Sequence, residues 1–104
     1  MSEINKRMNG YILEQLSDLE DFRSIPMIGG HIYYYKERIF GGIYGNGNFM
    51  VKINPISRKY MPDSKEEAPY EGAKSMYKCS LVDDKELLTK MIREMYPYLA
   101  ERKH

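Results

Sequence analysis

The sequence predicts an α+β domain of two layers, with an N-terminal helix, an antiparallel three-strand meander followed by one or two later strands, and a C-terminal helix. Three observations carry this. Ile4, Met8, Tyr11, Ile12, Leu16 and Leu19 recur every three or four positions, as on one face of an amphipathic helix. Residues 28–54 alternate short apolar or aromatic runs with two turn-forming tetrads. Leu87, Leu88, Met91, Ile92, Met95 and Leu99 restore helical spacing near the other end. With 104 residues, the chain has room for one core, so residues 1–104 are expected to form a single domain.

The first helix is expected over residues 4–19. Gly10 costs it up to about 1 kcal/mol relative to alanine, which a face docked on a sheet outweighs. Pro26 ends any helical continuation. Strands follow at residues 31–35, 39–44 and 49–53. The tetrad Tyr35, Lys36, Glu37, Arg38 forms the first turn, and Gly45, Asn46, Gly47, Asn48 supplies positions tolerant of positive φ for the second. Residues 55–61 suit a turn or one helical turn, and residues 63–72 a polar loop with room for a brief strand near Tyr70. Alternation returns at residues 75–80 as a further strand. Asp83 is placed to cap the last helix, with Glu86 completing a capping box. Pro97 kinks that helix or ends its regular part near Tyr96, leaving residues 101–104 frayed.

Ten tyrosines without a tryptophan suit strands and half-exposed surfaces equally, so they select no function. The net charge of +1 makes no general case for a polyanionic partner. Its distribution is uneven. Lys36, Arg38, Lys52, Arg58 and Lys59 face only Glu37 over residues 25–61, whereas residues 62–86 hold seven acids and four bases. No run approaches the roughly 20 apolar residues of a membrane span, and the opening is too polar for a secretory signal; a cytoplasmic protein without membrane attachment is expected.

Chemistry-bearing motifs are sparse. Cys79 is a lone cysteine in a strand, and His31 and His104 stand almost a chain length apart without a clustered ligand set. No metal and no cofactor is expected. The glycines of residues 41–47 lack a Walker lysine and hydroxyl, and their spacing is not GxGxxG at the start of a helix, so they are assigned to turns and close strand packing. Ser75 and Ser80 lie outside a nucleophile elbow, and Glu66 with Glu67 forms a solvated acidic pair. An enzyme built on His31 and Cys79 is the residual catalytic alternative, and no catalytic residue is assigned.

The run MIGGHIYYYKERIFGGIYGNGNFMVKI, the segment KSMYKCSL and the closing DDKELLTKMIREMYPYL together resemble the amino-terminal domain of TfoX-like (Sxy) proteins, known as competence regulators. The resemblance spans nearly the whole domain. It implies structural motif positions at Met27, Gly29, Gly30, Tyr35, Phe40, Lys52, Ser75, Met76 and Tyr77. Ile28 stands where that family often has phenylalanine, and the Lys36, Glu37, Arg38 turn lacks its common glycine. Full-length regulators of this kind add a second domain resembling a helix-hairpin-helix module, so the resemblance to the first domain alone does not carry direct transcriptional control.

Binding is therefore the expected functional class. An incomplete sheet offers an edge, and Tyr33, Tyr34 and Tyr35 place an aromatic on each face. The expectation is a small interaction or regulatory-accessory domain with a protein partner or a homodimer. Tyr34, Tyr35, Lys52 and Arg58 are the candidate contact residues, through aromatic contact and charge matching. The same basic residues with a stacking tyrosine also describe a weak nucleic-acid-binding surface, the second alternative, although an RRM motif and a KH loop are both missing.

Overall fold

A computed structural model describes residues 3–45 and 47–100. The elements run α1 (Glu3–Gln15), β1 (Phe22–Met27), β2 (Gly30–Tyr35), β3 (Arg38–Tyr44), β4 (Asn48–Val51), α2 (Pro55–Tyr60), β5 (Glu66–Glu67), β6 (Met76–Lys78) and α3 (Lys85–Met95), with a 3-10 turn at Tyr96–Tyr98. All strand pairs are antiparallel, in the order β1-β2-β3-β4-β6-β5. The α+β two-layer architecture is as expected. Residues 101–104, expected to fray, and Asn46, expected in a turn, lie outside the described residues.

The helices pack on one sheet face. Ile12, Leu16 and Leu19 from the N-terminal segment and Leu88, Met91, Ile92 and Met95 from α3 meet Tyr33, Phe40, Ile43, Phe49 and Val51. Each such side chain contributes roughly 1.5–3 kcal/mol by leaving water. Tyr33 is fully buried, and its hydroxyl donates to Asn9 Oδ1 at 2.7 Å. Tyr35, two residues on and therefore on the same face, donates to Glu20 Oε2 at 2.8 Å. Arg38 reaches from β3 to the carbonyl oxygens of Tyr96 and Leu99, at 3.3 Å each, and satisfies the end of the 3-10 turn.

Several local expectations are corrected. The sheet has a strand before the meander: β1 pairs with β2 along its whole length, and Pro26 fits because it sits on an edge strand that needs no outward donor. Helix α1 stops at Gln15, and Leu16 and Leu19 reach the core through the turns that follow, while Ile4 and Tyr11 are exposed. The first hairpin turn shrinks to Lys36 and Glu37, with φ of 49° and 66°; these left-handed values belong to a two-residue type I′ turn, and Tyr35 and Arg38 pair in the strands. The brief strand lies at Glu66–Glu67, not near Tyr70. Asp84 caps α3 by accepting from the Leu87 amide at 3.1 Å, because the Asp83 carboxylate is taken by the Tyr11 hydroxyl. Leu87 is exposed, and α3 ends at Met95 just before Pro97.

Residues 55–61 do form a helical turn, for a local reason. Asn54 Oδ1 accepts from the amides of Ile56 and Ser57 at 3.0 and 2.9 Å, and the Ser57 hydroxyl returns the contact to the Asn54 amide at 2.9 Å. Pro55 opens the helix where its missing donor costs nothing. Among the described residues, no helix is long and apolar enough to cross a membrane.

Candidate functional site

The face of the sheet opposite the helices is the candidate site. Strand alternation puts Ile25 of β1, Ile32 and Tyr34 of β2, and Met50 of β4 with Lys52 just beyond its end on this side. On β3 the alternation is broken. Tyr33 pairs with Gly41 and Tyr34 with Ile39, which leaves Phe40 as an extra, unpaired residue. This bulge sends Phe40 into the helical core while Ile39 stays on the open face.

Residues 69–75, between β5 and β6, lie over this face. The Tyr70 ring packs 6.3 Å from the Tyr44 ring. Tyr44 in turn folds back over Gly42, so that a Cβ placed there would meet its ring at 3.2 Å. Tyr44, Met50 and Met76 form a small buried cluster beneath the segment, with Met27 against it. On one side of the Tyr44–Tyr70 contact is a hollow of about 430 Å³, floored by Ile32, Ile39 and Lys52 and walled by Met76, Ala73 and Lys74. On the other side a second depression of similar volume is edged by Asn5, Met27 and the fully exposed Ile28.

Two charged groups line the first hollow, Lys52 on its floor and the exposed Lys74 on its wall, and Lys52 is the more buried. Its side chain is half-buried, and loss of water pushes its ammonium below the ordinary lysine value, with the charge of Lys74 adding to the effect. No Asp or Glu lines the hollow. Three lysines elsewhere have carboxylate partners: Lys59 with Glu94 at 3.3 Å, Lys78 with Glu67 at 3.0 Å and Lys85 with Asp18 at 3.7 Å. Burial also raises the Tyr44 phenol.

The four contact candidates read from the sequence do not share one surface. Tyr34 and Lys52 lie on the helix-free face, where the Arg23 guanidinium stacks 4.8 Å from the Tyr34 ring centre. Tyr35 is buried on the other face, its hydroxyl pushed up to about 12 by burial and by Glu20. Arg58 is exposed on α2, in the helical layer. Of the basic set, Lys36 lies over the Tyr35 and Tyr96 rings, Arg38 binds the 3-10 turn and Lys59 pairs with Glu94, so Lys52 is the one member of that set that faces the hollow, beside Lys74 from outside it. Ile32, Ile39 and Lys74 were not singled out by sequence; the period-2 pattern of β2 announced Ile32 beside Tyr34, but nothing local announced Lys74.

The motif positions sort by role. Gly29, with φ of 81°, makes the β1–β2 turn after Met27, and a Cβ on Gly30 would lie 1.9 Å from the Ile43 carbonyl oxygen. Phe40 is the bulge, Tyr77 enters the helical core, Met76 faces the hollow and Ser75 lies on its rim. His31 is buried on β2 and burial lowers its imidazole. Cys79 follows β6, three strand spacings or about 14 Å away, so the two do not meet as a nucleophile–base pair. Burial pushes the Cys79 thiol up to about 12. Among the described residues, no group of three His, Cys, Asp or Glu side chains is placed to hold a metal ion.

The fold and the site define a two-layer α+β domain whose sheet is covered by helices on one face and by a single loop segment on the other. No known family, curated protein or solved structure matches the chain.

Proposed function

We propose that this chain is a small non-enzymatic interaction or regulatory-accessory domain of the cytoplasm, and that it meets a protein partner through the helix-free sheet face. The observation that carries the reading is the incomplete cover of that face: Ile25, Ile32, Tyr34 and Ile39 remain half-exposed side by side on β1, β2 and β3. Contiguous apolar surface of this kind, rimmed by charge, is where partners dock. Of the charges at hand, Arg23 is paired with Glu37 and Lys78 with Glu67, so Lys52 is the base that favours an acidic group on the partner beside an apolar centre.

The test is affinity capture of the intact chain from its own cells, comparing Tyr34→Ala and Ile39→Ser with Arg58→Ala. A stoichiometric partner lost with the first two and kept by the third supports the placement. Loss with Arg58→Ala alone moves the contact to the helical layer, and a concentration-dependent dimer that the same sheet variants disrupt identifies the partner as a second copy.

We further propose that the chain is a divergent relative of the TfoX amino-terminal domain. Support comes from the order of helix, meander, later strand and helix, and from the motif residues at a turn, a bulge and the sheet's two faces. A chimera in which this chain replaces that domain in a competence regulator tests it; a folded chimera without competence activity would count against the relation.

A further inference from the structure

The hollow beside Tyr44 combines two features that packing alone does not require. It is apolar on most sides, through Ile32, Ile39 and Met76, and its only charged lining groups are the two lysines Lys52 and Lys74. Its volume of about 430 Å³ falls within the roughly 300–1,000 Å³ of small-molecule sites, which are likewise mostly apolar with a few convergent polar groups. Lys52 loses water against the apolar walls and is repelled by the exposed Lys74, and neither has an ion-pair partner among the described residues. An anion seated between them would relieve both penalties at once.

We propose that this hollow binds a small organic monocarboxylate with an aliphatic body. The carboxylate sits between Lys52 and Lys74, and the hydrocarbon lies on Ile32, Ile39 and Met76. A carboxylate fits better than a phosphate group. The site offers two point charges and no arginine fork, whereas tight phosphate recognition draws on guanidinium or a cradle of backbone amides. This site goes beyond the partner-binding reading and is tested without a partner; it shares Ile32 and Ile39 with the proposed docking face, so a partner seated there would compete with the ligand.

The experiment is an NMR titration of the isotope-labelled intact chain with three eight-carbon probes: octanoate, 1-octanol and octylammonium. Octanoate is expected to shift the methyl signals of Ile32, Ile39 and Met76 saturably. Lys52→Met should weaken it at least about tenfold, the weight of one charge-assisted contact, while Lys52→Arg keeps binding within a few-fold. Octylammonium should give no saturable shift. Equal affinity for octanol and octanoate, unchanged octanoate affinity in Lys52→Met, or shifts centred elsewhere would each overturn the proposal. The probe series on the unmodified chain decides the matter even if a variant fails to fold. Failure here with sheet-face variants still abolishing partner capture would sink the ligand site alone, and the reverse pattern would sink the partner surface alone.

Discussion

Replacing glycine by alanine at two positions should move stability in opposite directions. Gly10 lies inside the 13-residue helix α1, exposed, with nothing within 4 Å of an added Cβ. Alanine there removes backbone freedom from the unfolded chain and should stabilise by about 0.5–1 kcal/mol. At Gly41, in central strand β3, an added Cβ would sit 2.2 Å from the Met50 carbonyl oxygen and 3.1 Å from the Val51 Cα. Both are backbone atoms of β4, so no rotamer relieves the clash and the strand itself must move. Strand β4 also carries β6, and through it β5, on its far side. Overpacking of side chains costs about 1–3 kcal/mol, and a backbone obstacle should cost about 3 kcal/mol or more, a large part of the roughly 5–15 kcal/mol that holds a domain of this kind. At about 4–8 °C per kcal/mol, thermal unfolding should shift up by roughly 2–8 °C for Gly10→Ala and down by about 12 °C or more for Gly41→Ala. Circular dichroism melts of the three proteins test this. A Gly41→Ala midpoint within about 2 °C of the parent would refute the packing argument.

Asn54→Ala removes two accepted amide bonds at the start of α2 and should cost about 1–2 kcal/mol in urea unfolding; an unchanged midpoint would mean the cap is dispensable. The Glu20 carboxylate is held down to about 2 by its own backbone amide, then by the Tyr35 hydroxyl and Arg93. Its contribution is therefore complete above its ordinary value of 4.5 and is lost as pH falls from there through about 2, so Glu20→Gln should flatten the acid limb of a stability–pH curve. Parallel curves for parent and variant would rule that out. With the Cys79 thiol raised to about 12, only on the order of 10⁻⁴ of it is ionised near pH 8. Thiol reagents should therefore react far more slowly with the native protein than with the urea-unfolded chain, and equal rates in the two states would contradict the raised thiol.

The helical stripes and the meander were legible because their periods are local. Ile12, Leu16, Leu88, Met91, Ile92 and Met95 all face the core that their spacing announced. Strand β1 was not, since Pro26 reads as a breaker and only the edge position makes it acceptable. The capping-box spacing to Glu86 favours Asp83 over the adjacent Asp84; Tyr11, on a different helix, takes the Asp83 carboxylate, and the cap falls to Asp84. The site was half legible. Alternation separates Tyr34 from Tyr35, but which of them meets the helices depends on packing. The bulge at Phe40 shifts the phase of β3 by one residue, so Ile39 joins the open face against a simple count. Lys74 belongs to a segment without period, brought to Lys52 only by the excursion over the sheet.

The order of pairing in the sheet has a kinetic consequence. Strands β1 to β4 are consecutive hairpins with short connections, so each registers by closing a small loop. Strand β6 reaches β4 only after residues 52–75 have been laid out, and it contributes just two paired positions there, Met50 with Lys78 and Val51 with Tyr77. The four-strand half should assemble early, and the β5–β6 half, together with the hollow beneath residues 69–75, should close late and reopen first. In hydrogen exchange the amides of β6 would then lose protection before those of β2 and β3, making the binding face a region that breathes while the meander stays shut.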